Sequence, residues 1–206
     1  ISLPLVYTIL ALVAYTSSFW YLFIRLMSKR TPNLWCYSIM IGLGLLLHST
    51  VLYQNMMTPI GVNYDVFNLM SFTSGLMLAL SLILSLIRPI LPLNLIGTPV
   101  AAIGLILGYA FSQPNQVIEQ HSLGLDLHII LSLSAYAVLL MATIHSVLLW
   151  FQDRELKKKQ KRRIWVNLLP PFQVMESVLF DLIITGFGLL TAALLFGFFT
   201  IDNFFA

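Results

Sequence analysis

Charged residues are scarce in this chain. Of its 206 residues, only 9% are Asp, Glu, Lys or Arg, whereas 59% are hydrophobic and the mean hydropathy is +0.90. A soluble domain typically carries about 25% charged residues, because its surface must face water. This chain has too few charges to cover such a surface. The composition therefore indicates an integral membrane protein and excludes an ordinary soluble domain.

Cysteine is nearly absent, and so are the motifs of several enzyme classes. The single Cys36 excludes a disulfide framework and any zinc or iron–sulfur site built from several cysteines. The sequence has no glycine-rich phosphate loop, no evident Ser-His-Asp grouping and no carboxylate pair at catalytic spacing. We therefore expect that the protein is not an enzyme, and in particular neither a hydrolase nor a nucleotide-dependent enzyme.

Long apolar runs, by contrast, fill the chain from end to end. A spanning helix needs about 20 mostly apolar residues, and six segments qualify: 3–27, 34–54, 66–87, 92–112, 126–151 and 177–200. Prolines that favour turns, such as Pro32, Pro59 and Pro114, lie between them. The sequence predicts one all-α transmembrane bundle over residues 1–206. Because the chain begins at Ile1 and stops after Ala206, we also expect further spans in a longer polypeptide.

The basic residues lie on one side of the predicted membrane. All eleven Lys and Arg fall in the first, third and fifth connections, and the second and fourth contain none. Because cytoplasmic loops carry the excess of Lys and Arg, we expect the N-terminus outside the cytoplasm. The densest run extends from Arg154 to Arg163. We expect it to fix the topology and attract anionic lipid, and not to bind nucleic acid, because it lacks interleaved aromatic residues.

Two histidines lie near the predicted outer side of the membrane. His48 lies in the second span, roughly 9 Å before its outer end at 1.5 Å per residue, and His128 begins the fifth span. Imidazole is suited to ligation of haem iron and to proton transfer near neutral pH. The alternative for either residue is a hydrogen bond to a neighbouring helix. After His128, the small residues Ser132, Ala135 and Ala142 form a stripe that permits either close helix packing or a planar ligand.

The other ionisable residues suggest structural roles. His145 lies about 25 Å beyond His128 along the same helix, so we interpret it as a packing or interfacial residue. We interpret His121 as a solvated loop residue. We expect Asp65 at the start of the third helix, where a carboxylate stabilises the N-terminus, and Asp181 near the start of the sixth. Because the middles of the spans hold almost no ionisable groups, transport of a small solute or ion is a less favoured alternative.

Three short motifs follow one another in the second half of the chain. They are LHIILSLSAYA at residues 127–137, LPPFQVME at 169–176 and GFGLLT at 186–191, with the basic run between the first two. This order resembles the cytochrome c assembly membrane-protein family of the CcsA and CcmC type. The sequence is most similar to the YpjD-like and HemX-like branch of bacterial inner-membrane proteins. The resemblance covers residues 34–200.

The resemblance implies a multi-pass protein of the bacterial inner membrane that handles haem during cytochrome c maturation. His128 matches the axial haem ligand of the haem-handling members, and His48 matches a histidine in the second span of the YpjD-like branch. The family's tryptophan-rich external segment has no counterpart, because FFTIDNFF at residues 198–205 contains no tryptophan. The partner external histidine would lie beyond Ala206. We therefore expect non-catalytic haem binding, with an accessory subunit that binds another membrane protein without haem as the alternative.

Overall fold

Six long helices make up most of the computed structural model, which describes residues 3–113, 117–118, 123–158 and 168–200. They are α1 (Leu3–Met27), α2 (Leu34–Met56), α3 (Val66–Ile87), α4 (Asn94–Phe111), α5 (Leu123–Leu156) and α6 (Phe172–Thr200). By length and composition, each of the six predicted regions is long and apolar enough to cross a membrane. The predicted fold class, an all-α polytopic bundle of six spans, is confirmed.

Several helices begin or end at residues other than those predicted. A short 3₁₀ turn (Leu91–Leu93) precedes α4, and α5 extends beyond 126–151 on both sides. The sixth helix, α6, begins five residues earlier than predicted, at Phe172 directly after Pro171, whose carbonyl accepts a hydrogen bond from the Met175 amide at 3.1 Å. Asp181 consequently lies inside α6 and forms a salt bridge with Arg88 at 3.1 Å. The prediction that Asp181 lies near the start of the sixth helix is therefore wrong.

Consecutive helices pair, and the α3–α4 hairpin joins the two halves of the bundle. α1 packs mainly against α2, α3 against α4, and α5 against α6. One buried apolar cluster lies among α1 to α4 and includes Tyr15 and Leu78. The second, which includes Met77 and Met175, lies among α3, α5, α6 and the turn before α4. Since Met77 and Leu78 are neighbours in α3, this helix connects the two clusters.

A small sheet that the sequence did not predict lies at one end of the bundle. Its strands β1 (Met57–Thr58), β2 (Gly61–Asn63) and β3 (Val117–Ile118) pair antiparallel in that order. The Asn63 side chain donates to the carbonyl of Gln113 at 3.1 Å. Strands this short carry no detectable hydrophobic period. We call this end of the bundle the sheet end and the opposite end the basic end, where Arg25, Arg88 and Arg154 lie.

Local contacts explain the start of α3 and the positions of some glycines. The Asp65 carboxylate accepts a hydrogen bond from the Phe67 amide at 3.0 Å, so its predicted role at the start of the helix is confirmed. A Cβ on Gly44 would lie 2.6 Å from the Tyr15 ring, which requires glycine at this close approach of α1 and α2. A Cβ on Gly42, two residues earlier in α2, would have nothing within 4 Å, so no close contact requires glycine there.

Candidate functional site

His128 projects from the first turns of α5 toward the end of α6. Its Nδ1 lies 2.7 Å from the carbonyl oxygen of Ala193. A carbonyl oxygen only accepts hydrogen bonds, so Nδ1 carries the proton and donates it. In the neutral ring, Nε2 therefore carries the lone pair. His128 is half-buried, whereas His48 is buried.

Gly197 makes room for the imidazole of His128. A Cβ at this position would lie 2.8 Å from Nδ1 and 2.9 Å from Cε1 of the ring. Real Cβ atoms do not come this close to their neighbours, so the absence of a side chain lets α5 and α6 approach at this point. The backbone carbonyl of Ala193, one turn earlier in α6, can then reach the ring. Ala193 and Gly197 together define the orientation of His128.

The stripe of small residues after His128 serves helix packing at two of its three positions. Ala135 and Ala142 are buried, and Ala142 belongs to the same apolar cluster as Met175 and Val178 of α6. Further along α6, a Cβ on Gly186 would lie 2.6 Å from the Leu139 side chain. Along this face α5 and α6 therefore pack closely, and the structure favours the packing alternative over a slot for a planar ligand at these positions.

His48 is bonded through both of its ring nitrogens. Its Nδ1 lies 3.0 Å from the Tyr15 hydroxyl of α1, and its Nε2 lies 2.9 Å from the Ser71 hydroxyl of α3. In a neutral ring, one of these nitrogens donates and the other accepts. The side chain is 2% exposed. His48 thus forms the centre of a buried network that links three helices, and a metal could bind only by replacing one of its two partners.

The space around His48 is narrow. A Cβ on Gly75 would lie 3.2 Å from Cε1 of the ring, so α3 contacts the flat face of the imidazole closely. A cavity of about 170 Å³ borders His48 and is lined further by apolar side chains such as Leu45 and Leu76. Ligand sites for small molecules usually measure about 300–1,000 Å³. This cavity alone is too small for a porphyrin.

The structure does not bring the two candidate histidines into one site. His48 belongs to the network of α1, α2 and α3, whereas His128 contacts α6. Within the described residues, no three His, Cys, Asp or Glu side chains lie close enough together to hold a metal ion. Iron bound by His128 would therefore not be shared with His48.

His145 differs from His128 in burial. Its Nδ1 donates to the Met141 carbonyl at 3.0 Å, and its Nε2 has no hydrogen-bond partner in the described part of the chain. The side chain is only 1% exposed, so a ligand could reach it only by separating the helices, which agrees with the predicted packing role. His121 lies outside the described residues, as does the part of the basic run from 159 to Arg163.

A larger cavity lies at the sheet end, between α2, α3, α5 and the sheet. It measures about 450 Å³, and we call it the sheet-end cavity. Its lining is mostly apolar, and the polar exceptions are Ser49, Tyr53, Tyr64 and Asp126. The Tyr64 hydroxyl donates to the Asp126 carboxylate at 3.2 Å. Partial burial, together with the negative charge and hydrogen bond of Asp126, raises the pKa of Tyr64.

Several residues of these sites could not be identified from the sequence. Tyr15 and Ser71 lie in apolar helices at positions 33 and 23 residues from His48, and the group that orients His128 is the backbone of an alanine. The pairing of Tyr64 with Asp126 joins residues 62 apart. A single sequence shows such residue types but not which of them meet in the fold.

The family of the chain follows from a comparison with known proteins. No curated protein and no solved structure matches it. A family model described as cytochrome C assembly protein, however, matches residues 3–206, which includes all six helices and both candidate histidines. The match agrees with the six apolar helices of a multi-pass membrane protein. The chain therefore belongs to the cytochrome c assembly protein family and has a role in cytochrome c biogenesis.

Proposed function

We propose that this protein binds haem without catalysing a reaction, with His128 as an axial ligand of the iron. The hydrogen bond from His128 Nδ1 to the Ala193 carbonyl carries this proposal. Histidines that bind metals almost always donate their second ring N–H to a carboxylate, a backbone carbonyl or water, which fixes the tautomer and makes the other nitrogen more basic. His128 meets this requirement, and its Nε2 lone pair is the atom that iron would use.

The second candidate ligand, His48, is less suited to iron. Both of its nitrogens already have protein partners, and the adjoining cavity is small. Loss of one buried hydrogen bond costs about 1–3 kcal/mol, which an iron–nitrogen bond would first have to offset. The Nε2 of His145 has no hydrogen-bond partner among the described residues, but the side chain is buried between helices. The order of preference is therefore His128, then His48.

We further infer a location in a bacterial inner membrane and membership of the YpjD-like and HemX-like branch. Both inferences rest on the order of the three motifs between residues 127 and 191, and the family match supports the coarser assignment. Attraction of the basic run from Arg154 to Arg163 to anionic lipid on the cytoplasmic side remains a prediction.

Absorption spectra of the detergent-purified, full-length protein test the proposal. After haem is supplied, we expect a Soret band for the wild type and for His48→Ala. In His128→Ala the band should be lost or shifted, and added imidazole should restore it, because imidazole can occupy the space left by the ring. A wild-type protein that stays colourless would refute haem binding and favour the accessory-subunit alternative, which predicts a stoichiometric partner that co-purifies. A band lost in His48→Ala but kept in His128→Ala would refute His128 as the ligand, while haem binding itself would stand.

A further inference from the structure

The connection between α1 and α2, at the basic end, carries positive charge without any acid. We call residues 25–33 the α1–α2 turn, and its cations are Arg25, Lys29 and Arg30. The sequence contains no Asp or Glu in residues 1–64. Within the part of the chain that the structure describes, none of the three cations forms an ion pair. The two helices joined by this turn therefore supply no carboxylate to neutralise it.

Other cations at the basic end differ in having carboxylate partners. Arg88 forms a salt bridge with Asp181 at 3.1 Å, and Lys157 forms one with Asp153 at 2.6 Å. A positive cluster without acids attracts anions and repels cations. The α1–α2 turn is therefore a stronger candidate for an anion than these paired cations.

The backbone of the turn brings its three cations together at the end of α1. The Arg30 amide donates to the Arg25 carbonyl at 2.9 Å, which is the longer bond of the Schellman motif that closes many helices. The Arg25 guanidinium lies over the Tyr21 ring, 5.5 Å from its centroid. The Tyr21 hydroxyl in turn accepts a hydrogen bond from the Asn33 amide at 3.0 Å. Tyr21 thus orients Arg25 and ties it to the start of α2.

Lys29 has a backbone conformation that favours glycine. Its φ is 52°, and it is the one non-glycine residue with a positive φ among those that the structure describes. Glycine is the usual residue at this position after a helix, because it has no Cβ to clash. Residues held in such conformations tend to cluster at functional sites. What lysine adds here in place of glycine is a positive charge.

Exposed apolar side chains flank the charged turn. Trp35, in the first turn of α2, is 82% exposed, and Trp20 of α1 and Ile39 of α2 are also exposed. Tryptophan is enriched at the boundary between membrane and water, where lipid headgroups lie. The neighbouring cations and the exposed apolar residues match the two parts of a phospholipid.

We propose that the α1–α2 turn binds an anionic phospholipid with the chemistry of phosphatidylglycerol. The lipid phosphate accepts hydrogen bonds from Arg30 and Lys29, and guanidinium groups form strong paired bonds of this kind. One acyl chain lies along Trp35 and Ile39. Phosphatidylcholine fits less well, because its headgroup adds a cation that the turn repels. This proposal does not rest on haem binding at His128.

A fluorescent label on Cys36 reports lipid at the turn. Cys36 is the single cysteine of the sequence and is exposed in the first turn of α2. The haem-free, full-length protein in detergent is titrated with phosphatidylglycerol and phosphatidylcholine that carry identical acyl chains. We expect phosphatidylglycerol to bind about fivefold more tightly or better, equivalent to about 1 kcal/mol for each cation that contributes near the membrane surface. Equal affinities, or tighter binding of phosphatidylcholine, would overturn the proposal.

Two variants of Lys29 separate its charge from its backbone conformation. Lys29→Gly and Lys29→Gln both remove the cation, so both should lower the preference for phosphatidylglycerol about fivefold. Glycine also suits the backbone at this position, so the melting temperature of Lys29→Gly should equal or exceed that of the wild type. The lost preference is then not a consequence of unfolding. If Lys29→Gln keeps the wild-type preference, the charge takes no part in binding and the proposal is wrong.

Lys157→Gln is the matched control for charge. It removes one exposed lysine at the same end and changes the net charge by the same amount, but this lysine is paired with Asp153. The preference measured through Cys36 should therefore stay as in the wild type. A loss equal to that of Lys29→Gln would show that net charge alone attracts the lipid, and it would overturn a site at the turn.

A chain-free headgroup separates a lipid site from a site for small anions. Glycerophosphoglycerol carries the same phosphate as phosphatidylglycerol but no acyl chain, so it should not displace the lipid when added in excess. Full displacement would assign the turn to small anions and overturn the assignment to a lipid. Because all of these measurements use haem-free protein, a failure of the haem proposal would leave their outcome unchanged.

Discussion

Replacement of Gly197 with alanine tests the geometry of His128, and Gly188→Ala in the same helix is the matched control. A Cβ at 197 would lie 2.8 Å from Nδ1 of His128, whereas a Cβ at 188 would have nothing within 4 Å. The added methyl at 197 must displace the imidazole or push α6 away from α5. Either movement weakens the 2.7 Å hydrogen bond to Ala193.

The expected magnitudes follow from three effects. Alanine is favoured over glycine in a helix by about 1 kcal/mol, which applies to both variants. Overpacking typically costs about 1–3 kcal/mol, and loss of a hydrogen bond costs about 0.5–1.5 kcal/mol, but only at Gly197. We therefore expect the free energy of unfolding of Gly197→Ala to lie about 1.5–4.5 kcal/mol below that of Gly188→Ala.

Thermal unfolding in detergent compares the two variants, and haem titration followed by the Soret band gives a second readout. Gly197→Ala should bind haem more weakly or with a shifted band, and Gly188→Ala should bind it like the wild type. Equal melting temperatures would refute the crowding at His128. A Gly197→Ala protein that is destabilised but binds haem normally would show that the orientation of the ring by Ala193 is not needed for binding.

Three further predictions concern the buried network and the sheet end. Ser71→Ala removes one partner of His48, so chemical denaturation should show a loss of about 1–3 kcal/mol in the free energy of unfolding, and unchanged stability would contradict the network. Asp65→Ala should cost about 1 kcal/mol because the cap of α3 is lost, while Asp65→Asn, which can still accept the hydrogen bond, should cost less; equal losses would refute capping. Because burial and Asp126 raise the pKa of Tyr64, the stability this residue contributes is present below the ordinary tyrosine value and is lost as the pH rises through the folded value. Ultraviolet titration should show Tyr64 ionising at lower pH in Asp126→Asn, and identical curves would contradict the coupling.

The helices were predictable because the cost of exposing backbone groups to lipid forces long apolar runs into helices. This constraint does not determine where a helix stops once it leaves the membrane. α6 begins at Phe172 because Pro171 can stand directly before the helix, where its carbonyl accepts the hydrogen bond of the Met175 amide and its missing N–H is not needed. The three short strands were missed for a related reason, since pairs such as Val62 with Ile118 form between distant loops and leave no local pattern.

The candidate site was predictable in residue type but not in geometry. Histidines at membrane depth are costly and therefore stand out in a sequence, which is how His48 and His128 were selected. The hydrogen-bond partners of these histidines cannot be recognised in the sequence in the same way. Ala193 contributes only a backbone carbonyl, and Tyr15 and Ser71 are uncharged residues in apolar helices. These tertiary contacts determine which ring nitrogen of each histidine keeps a lone pair for a ligand. A single sequence does not show them.

The two histidines illustrate how the kind of partner determines whether an imidazole can serve as a ligand. The partners of His48 are side-chain hydroxyls of α1 and α3, so both nitrogens are used and the ring holds three helices together. The partner of His128 is a backbone carbonyl, which only accepts, so one nitrogen is fixed as the donor and the other keeps its lone pair. No side-chain substitution can delete that carbonyl. The residue whose substitution most directly disturbs this arrangement without touching His128 is therefore Gly197, because its missing side chain is what lets the carbonyl and the ring meet.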